Sequence, residues 1–169
     1  EFKKFVPKGM AEVDDWHKSI SLLACVDSAP LVVGDSVISA CQGGLILKFN
    51  RIDGTVETSC RYPGWMFQAD LLLQEKSDSL IVCGYSSSNK GLVVCLTRNL
   101  LEERWKIEIC GSIKSRPVII DDTAWVLAGS KCIALDITTG KELKKEFELQ
   151  QGPYMSNPIV LYDDNQLGR

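Results

Sequence analysis

The chain has 169 residues, enough for one domain with a sizeable core, with 45% apolar and 24% charged residues and a formal net charge of −3. That balance provides no basic face for nucleic acid or anionic lipid, and no apolar run reaches the roughly 20 residues a membrane-spanning helix needs. The first residues, Glu1-Phe2-Lys3-Lys4-Phe5-Val6-Pro7, lack the apolar centre of a secretion signal. Partners of the nucleic-acid and membrane classes are therefore not expected.

Residues 1–15 read as an N-terminal extension or as part of a neighbouring unit. From Trp16 the chain repeats itself. The first pass, 16–54, opens with an aromatic-led strand over 16–24 and turns at the corner Ser28-Ala29-Pro30. It continues through Leu31-Val32-Val33, the turn Gly34-Asp35 and the strand Leu45-Ile46-Leu47-Lys48-Phe49-Asn50, closing on Asp53-Gly54. Proline as the first residue of a strand costs no ladder hydrogen bond and fixes φ, which suits a corner feeding a strand. Glycine after Asp53 supplies the positive φ a tight hairpin needs.

The second pass, 55–101, is divergent. Gln68-Ala69-Asp70 stands where the corner belongs, followed by Leu71-Leu72-Leu73, a turn at Lys76-Ser77-Asp78-Ser79 and two apolar strands over 80–84 and 92–96. Between those strands Ser86-Ser87-Ser88-Asn89-Lys90 reads as a lengthened, solvated hairpin loop. The third pass, 102–140, is the clearest: a strand led by Trp105, the corner Ser115-Arg116-Pro117, Val118-Ile119-Ile120, the turn Asp121-Asp122, and Cys132-Ile133-Ala134-Leu135-Asp136 ending at Thr139-Gly140. A partial fourth pass, 141–169, contains Ser156-Asn157-Pro158-Ile159-Val160-Leu161. Residues 99–106 and 141–148, which also scan as short helices, fall on outer strands in this alignment.

Anchor to anchor, the passes advance by about 40, 47 and 41 residues, which fits four short strands and their turns per pass and a radial repeat array. Strands over 92–96 and 124–128 are apolar nearly throughout, as expected of strands buried on both faces between neighbours. The expected fold is all-β: about three and a half four-stranded blades of a β-propeller, belonging to a larger ring.

Seven cysteines (Cys25, Cys41, Cys60, Cys83, Cys95, Cys110 and Cys132) include no C-x-x-C pair, and with one histidine there is no zinc spacing. Cys41, Cys83, Cys95 and Cys132 lie in apolar strand runs, where a thiol behaves as a small hydrophobe. They are expected to be reduced, which implies a cytoplasmic, reducing compartment; disulfides in a secreted domain are the competing reading.

Candidate chemistry is sparse. His17, the only histidine, follows Trp16 at a strand start, where an exposed or capping role is expected rather than a catalytic one. The acidic pairs Asp14-Asp15, Asp121-Asp122 and Asp163-Asp164 can in principle bind calcium, but the last two occupy one repeat position where aspartate favours turns. Ser86, Ser87, Ser88, Asn89 and Lys90, with Gly91, have the composition of an anion cradle without Walker spacing or a following helix. They are the first expected partner-contact loop. Of the aromatics Tyr62, Trp65, Phe67, Trp125 and Tyr154, we place Trp125 between blades. Tyr62, Trp65 and Tyr154 fall on the loop side of the repeat, as further partner-contact positions. The mixed-sign run Lys141-Glu142-Leu143-Lys144-Lys145-Glu146 reads as a solvated outer edge. No catalytic, cofactor-binding or metal-binding residue is assigned.

The unit from Trp105 to Gly140, with Ser115-Arg116-Pro117, Ile133-Ala134-Leu135-Asp136 and Thr139-Gly140, resembles the PQQ-like, or quinoprotein-like, propeller repeat. More narrowly, Cys25-Val26-Asp27-Ser28-Ala29-Pro30-Leu31-Val32-Val33 and Cys110-Gly111-Ser112-Ile113-Lys114-Ser115-Arg116-Pro117-Val118 are similar to corners in the C-terminal propeller of the β-alanine-activating, or aminoadipate-semialdehyde-dehydrogenase-like, acyl-activating enzymes. That resemblance implies a non-catalytic segment for protein interaction or domain arrangement beside adenylation and carrier domains, with other blades, other domains or a second copy as partners. A stand-alone scaffold, as in outer-membrane assembly propellers, is the alternative. A quinone-dependent oxidoreductase is a third reading. Quinone enzymes of this family use adjacent cysteines, a stacking tryptophan and calcium, and this sequence has no adjacent cysteines. No cofactor is expected.

Overall fold

The computed structural model describes residues 26–149 and 156–158. Three antiparallel sheets follow one another along the chain. Sheet 1 comprises β1 (Leu31–Val33), β2 (Ser36–Ala40), β3 (Leu45–Asn50) and β4 (Val56–Arg61), in that spatial order. Sheet 2 holds β5 (Trp65–Met66), β6 (Leu72–Gln74), β7 (Ser79–Ser86), β8 (Lys90–Thr97) and β9 (Glu103–Cys110). Sheet 3 is β10 (Val118–Ile120), β11 (Thr123–Ala128), β12 (Lys131–Asp136) and β13 (Glu142–Glu148). The blade-like all-β fold is as expected, and residues 99–106 and 141–148 feed outer strands rather than helices.

The proline corners set the register. Val32 and Ile119 are each the middle residue of a three-residue strand that starts just after proline, paired with Val37 and Ala124 across a two-residue turn. Gly34 and Asp121 occupy the same turn position with φ of 58° and 54°. Sheet 2 departs from this plan. A 3₁₀ turn, Glu75–Ser77, with left-handed Asp78 replaces the tight turn. Its central strands run eight residues each, so β6 pairs with one end of β7 and the two-residue β5 with the other. Four strands per pass is therefore corrected to five for this sheet. The sheets are also out of phase with the sequence passes. The Trp105 strand that opens the third pass is the outermost strand of sheet 2.

Two apolar clusters bind the sheets face to face. Ile38, Ala40 and Ile46 of sheet 1 meet Leu80, Val82, Leu92, Val94 and Leu96 of sheet 2. From the opposite face of sheet 2, Ile81, Cys83, Val93 and Cys95 meet Ala124, Val126, Ile133 and Leu135 of sheet 3. Strands β7 and β8 are consequently buried residue after residue, as a strand covered on both sides must be. The same expectation for residues 124–128 is not met. There burial alternates, with Trp125 and Leu127 half-exposed, because among the described residues no sheet packs on that face. Phe67 is wholly buried, its ring against Gly84, where a β-carbon would lie 2.6 Å from the ring.

The Trp…Thr-Gly pairing of the repeat has a direct physical reading. Trp105 of sheet 2 lies on the turn of sheet 3. Its indole Nε1 donates to the Ile137 carbonyl at 3.1 Å, and a β-carbon at Gly140 would meet the ring at 2.4 Å. Asp136 Oδ1 holds that turn by accepting from the amides of Thr138 and Thr139 and from the Thr139 hydroxyl. Those hydrogen bonds from Thr139 hold the Asp136 carboxyl below its ordinary pKa.

At the junction of sheets 1 and 2 the sizes are exchanged. Thr58, which pairs with Lys48 as Trp105 pairs with Cys95, donates to the Leu100 carbonyl at 3.1 Å. Leu101 takes the turn position that glycine holds in the other two sheets, at φ 55° and almost fully buried. A left-handed non-glycine residue costs roughly 1–2 kcal/mol. Burying the leucine side chain stabilises by about 1.5–3 kcal/mol, so the exchange is tolerated.

Trp105→Ala should therefore lower unfolding stability by about 2–4 kcal/mol. Trp125→Ala, on the half-exposed face of sheet 3, should cost clearly less. Urea unfolding followed by far-ultraviolet circular dichroism gives both values, and equal losses would contradict the assignment of Trp105 to the junction.

Candidate functional site

The expected loop of residues 86–90 is shorter than its sequence implies. Only Ser87, Ser88 and Asn89 separate β7 from β8, so the extra length lies in the strands. Asn89, left-handed at φ 59°, donates its amide to the Ser86 carbonyl, and the Lys90 amide donates to Ser86 Oγ. Ser86 and Ser88 share a hydroxyl–hydroxyl bond, and Lys90 Nζ pairs with Glu108. An anion cradle needs amide donors that point outward, and two of this loop's are spent internally. Asn89 also pins the chain beyond β9: its side-chain oxygen accepts from the Ser112 amide and hydroxyl.

Tyr62 and Trp65 converge instead on a groove of about 420 Å³ between the outer parts of sheets 1 and 2. Leu92 and Leu101 line it from sheet 2, with Glu103, Lys106 and Glu108 along β9. The Tyr62 hydroxyl donates to Glu103 Oε2 at 3.0 Å, and Lys106 donates to the same carboxylate while sitting 5.9 Å from the Tyr62 ring centroid. Tyr62 also packs edge-on against Phe67, centroids 6.0 Å apart. Burial, reinforced by the hydrogen bond to Glu103, pushes the Tyr62 phenol well above its usual pKa. Cys60 lies in the same groove with its thiol pushed up to about 11, first by burial and then by the negative charge of Glu103. The groove thus presents protonated tyrosine and thiol groups under a charged rim. That is suited to contact and hydrogen bonding, not to nucleophilic attack.

A matching groove, also about 420 Å³, lies between sheets 2 and 3, with Cys110, Lys131, Glu142 and Glu146 on its walls. Wedge-shaped grooves of this kind follow from sheets that diverge outward. The aromatic lining is what sets the first apart.

The remaining sites divide plainly. Asp121-Asp122 is turn chemistry: the Asp122 carbonyl accepts from Ile137, and its side chain pairs with Lys76. Trp125 stacks on Phe147 at 5.6 Å rather than lying between two described sheets. Cys41, Cys83 and Cys95 are buried, whereas Cys132 is half-exposed on the same face as Trp125, which corrects its assignment to the core. All six cysteines among the described residues have free thiols. His17, Trp16, Cys25, Asp14-Asp15, Asp163-Asp164 and Tyr154 lie outside the described residues. Sequence reasoning missed Glu103, Lys106, Leu92 and Leu101, which arrive at the groove from β8, β9 and the turn between them, roughly 30 to 45 residues downstream. The one local signal was a leucine where the repeat calls for glycine.

A cavity of about 450 Å³ between the first strands of sheets 2 and 3 is lined by Leu72, Leu73, Gln74, Arg116, Pro117, Val118, Ile119 and Pro158. It offers no aromatic platform and no carboxylate, and no cluster of three metal-ligating side chains occurs among the described residues.

The sequence matches no protein-family profile and no characterised protein. Its fold does match. BamB from Moraxella catarrhalis is similar over 81% of this chain and 39% of its own length, with a TM-score of 0.64 and 18% identity. Quinohemoprotein alcohol dehydrogenase from Comamonas testosteroni matches over 73% of this chain and 27% of its own, with a TM-score of 0.62 and 10% identity. Sqt1 of Saccharomyces cerevisiae matches over 71% and 32%, with a TM-score of 0.58 and 12% identity. At these identities the likeness shows a β-propeller fold, of which this chain spans less than two-fifths of each neighbour's length.

The thiols give a direct check on the groove. Of the six described cysteines, a thiol reagent at pH 8 should label Cys110 fastest and Cys60 slowly, with Cys83, held up at about 12 by burial, reacting only on unfolding. The Cys60 rate should rise with pH towards about 11 rather than level off near 9. Mass spectrometry of the labelled peptides tests this order, and rapid labelling of Cys60 at pH 8 would contradict the groove's electrostatics.

Proposed function

We propose that this chain is a non-catalytic propeller segment whose work is protein contact, and that its blades are completed by further blades of a parent protein or by a second copy. The observation that carries this reading is the face of sheet 3 on which no described sheet packs. Phe147 is 59% exposed and stacked on Trp125, with Ile120 40% exposed in the same sheet. An apolar stack of this kind at the end of a row of packed sheets is a contact surface. The aromatic groove at Tyr62 and Trp65 offers a second contact position away from that face. The neighbours' greater length supports a ring larger than this chain.

The finer placement, within an acyl-activating parent, rests on the corner runs at Cys25 and Cys110, and an adenylation domain encoded upstream in the same reading frame is its test. The free thiols favour a reducing, cytoplasmic setting for this reading.

Burying apolar surface is worth about 25 cal/mol per Å², so a few hundred Å² supplies several kcal/mol of drive towards association. Sedimentation of the purified chain at tens of micromolar should show dimers or larger species, shifted towards monomer by Phe147→Glu. A compact wild-type monomer, or association indifferent to Phe147→Glu, would overturn the reading.

A further inference from the structure

The residue between serine and proline varies from corner to corner: Ala29, Asp70 (in the divergent corner), Arg116 and Asn157. Its neighbours explain why the position is poised to bridge. Ser28, Ala69 and Ser115, one residue earlier, are small and buried, which fixes the backbone of each corner against its own sheet. In the three described sheets the variable residue stands two positions before β1, β6 and β10, where the corners come together.

Three hydrogen bonds join all four positions in one chain. The Ala29 amide donates to Asp70 Oδ1 at 2.8 Å, and the Arg116 amide donates to Asn157 Oδ1 at 2.8 Å, each across 41 residues of sequence. Asn157 Nδ2 then donates to Asp70 Oδ2 at 2.6 Å, joining the two pairs across 87 residues. The chemistry of the four residues matches this order. Asp70 and Asn157 carry side-chain acceptors, whereas Ala29 and Arg116 carry none and contribute only their backbone N–H. Asp70 uses both carboxylate oxygens, one for each neighbour. Asn157 uses both ends of its amide, the oxygen for Arg116 and the nitrogen for Asp70.

We propose that Asp70 and Asn157 form an inter-corner clasp, and that they are positioning residues which fix where the fourth pass begins relative to the three sheets. The clasp ties the corner of the fourth pass both to the corner of sheet 3, through the Arg116 amide, and to the corner of sheet 2, through Asp70. It also gives the variable position of the second corner a role, since Asp70 there sits at the hub.

Amide hydrogen exchange of the whole chain, read residue by residue by NMR, tests the clasp, because each variant has its own signature. Asn157→Ala should speed exchange at Arg116 about tenfold and leave Ala29 unchanged. Asp70→Asn keeps an oxygen for the Ala29 amide but sets an amide NH₂ against that of Asn157. It should preserve protection at Ala29 while speeding exchange at Arg116. Asp70→Ala should release Ala29 most. This crossed pattern supports the clasp. Equal acceleration of amides throughout the sheets, or no change at Ala29 and Arg116 in any variant, would overturn it, and the conservative Asp70→Asn keeps the test valid should Asp70→Ala fail to fold.

Discussion

The structure depends on the double burial of sheet 2. Its two long central strands place Leu80, Val82, Leu92 and Val94 against sheet 1 and Ile81, Cys83, Val93 and Cys95 against sheet 3. A sheet with both faces covered cannot alternate apolar with polar residues, and β7 and β8 do not. Among the described residues sheets 1 and 3 pack on sheet 2 through one face each, and their strands β2 and β11 alternate in burial. The grooves between the sheets, and the face of sheet 3 that no described sheet covers, are positioned by that central slab.

The junctions on its two sides solve one geometric problem with opposite choices of size. Between sheets 2 and 3 a tryptophan covers a glycine; between sheets 1 and 2 a threonine bonds the carbonyl of Leu100, and the next residue, Leu101, is held in a left-handed conformation. The second solution also places Leu101 in the groove where Tyr62 and Trp65 gather, so a packing choice in the repeat furnishes the floor of the candidate contact site. The candidate contact surface here arises from an exchange within the repeat pattern. It required no inserted loop or domain.

Much of the fold was legible because its signals are local. Serine-x-proline corners, the Asp-x-x-Thr-Gly turn and the unbroken apolar strand at 92–96 each act within a few residues, and they appear where expected. What could not be read depends on length or distance. Trp65–Met66 is too short to show a strand period, and it forms only because β7 outruns its partner β6. The serine run at 86–88 looked like loop because serine is common in turns, yet Ser86 ends a strand. Of the candidate site, Tyr62 and Trp65 were visible as aromatics near a corner. Glu103 and Lys106 were not, since charged residues on an outer strand ordinarily face water. The partnership of Asp70 with Asn157, 87 residues apart, leaves no trace in a single sequence.

Native-state hydrogen exchange across the three sheets tests the central role of sheet 2 most directly. The account predicts that amides of Leu80, Ile81, Val82, Leu92, Val93 and Val94 exchange only through global unfolding, the slowest in the described chain, while β1, β4 and β13 open at lower free energy. Exchange of those six amides through a local opening, faster than the central strands of sheet 1 or sheet 3, would contradict it.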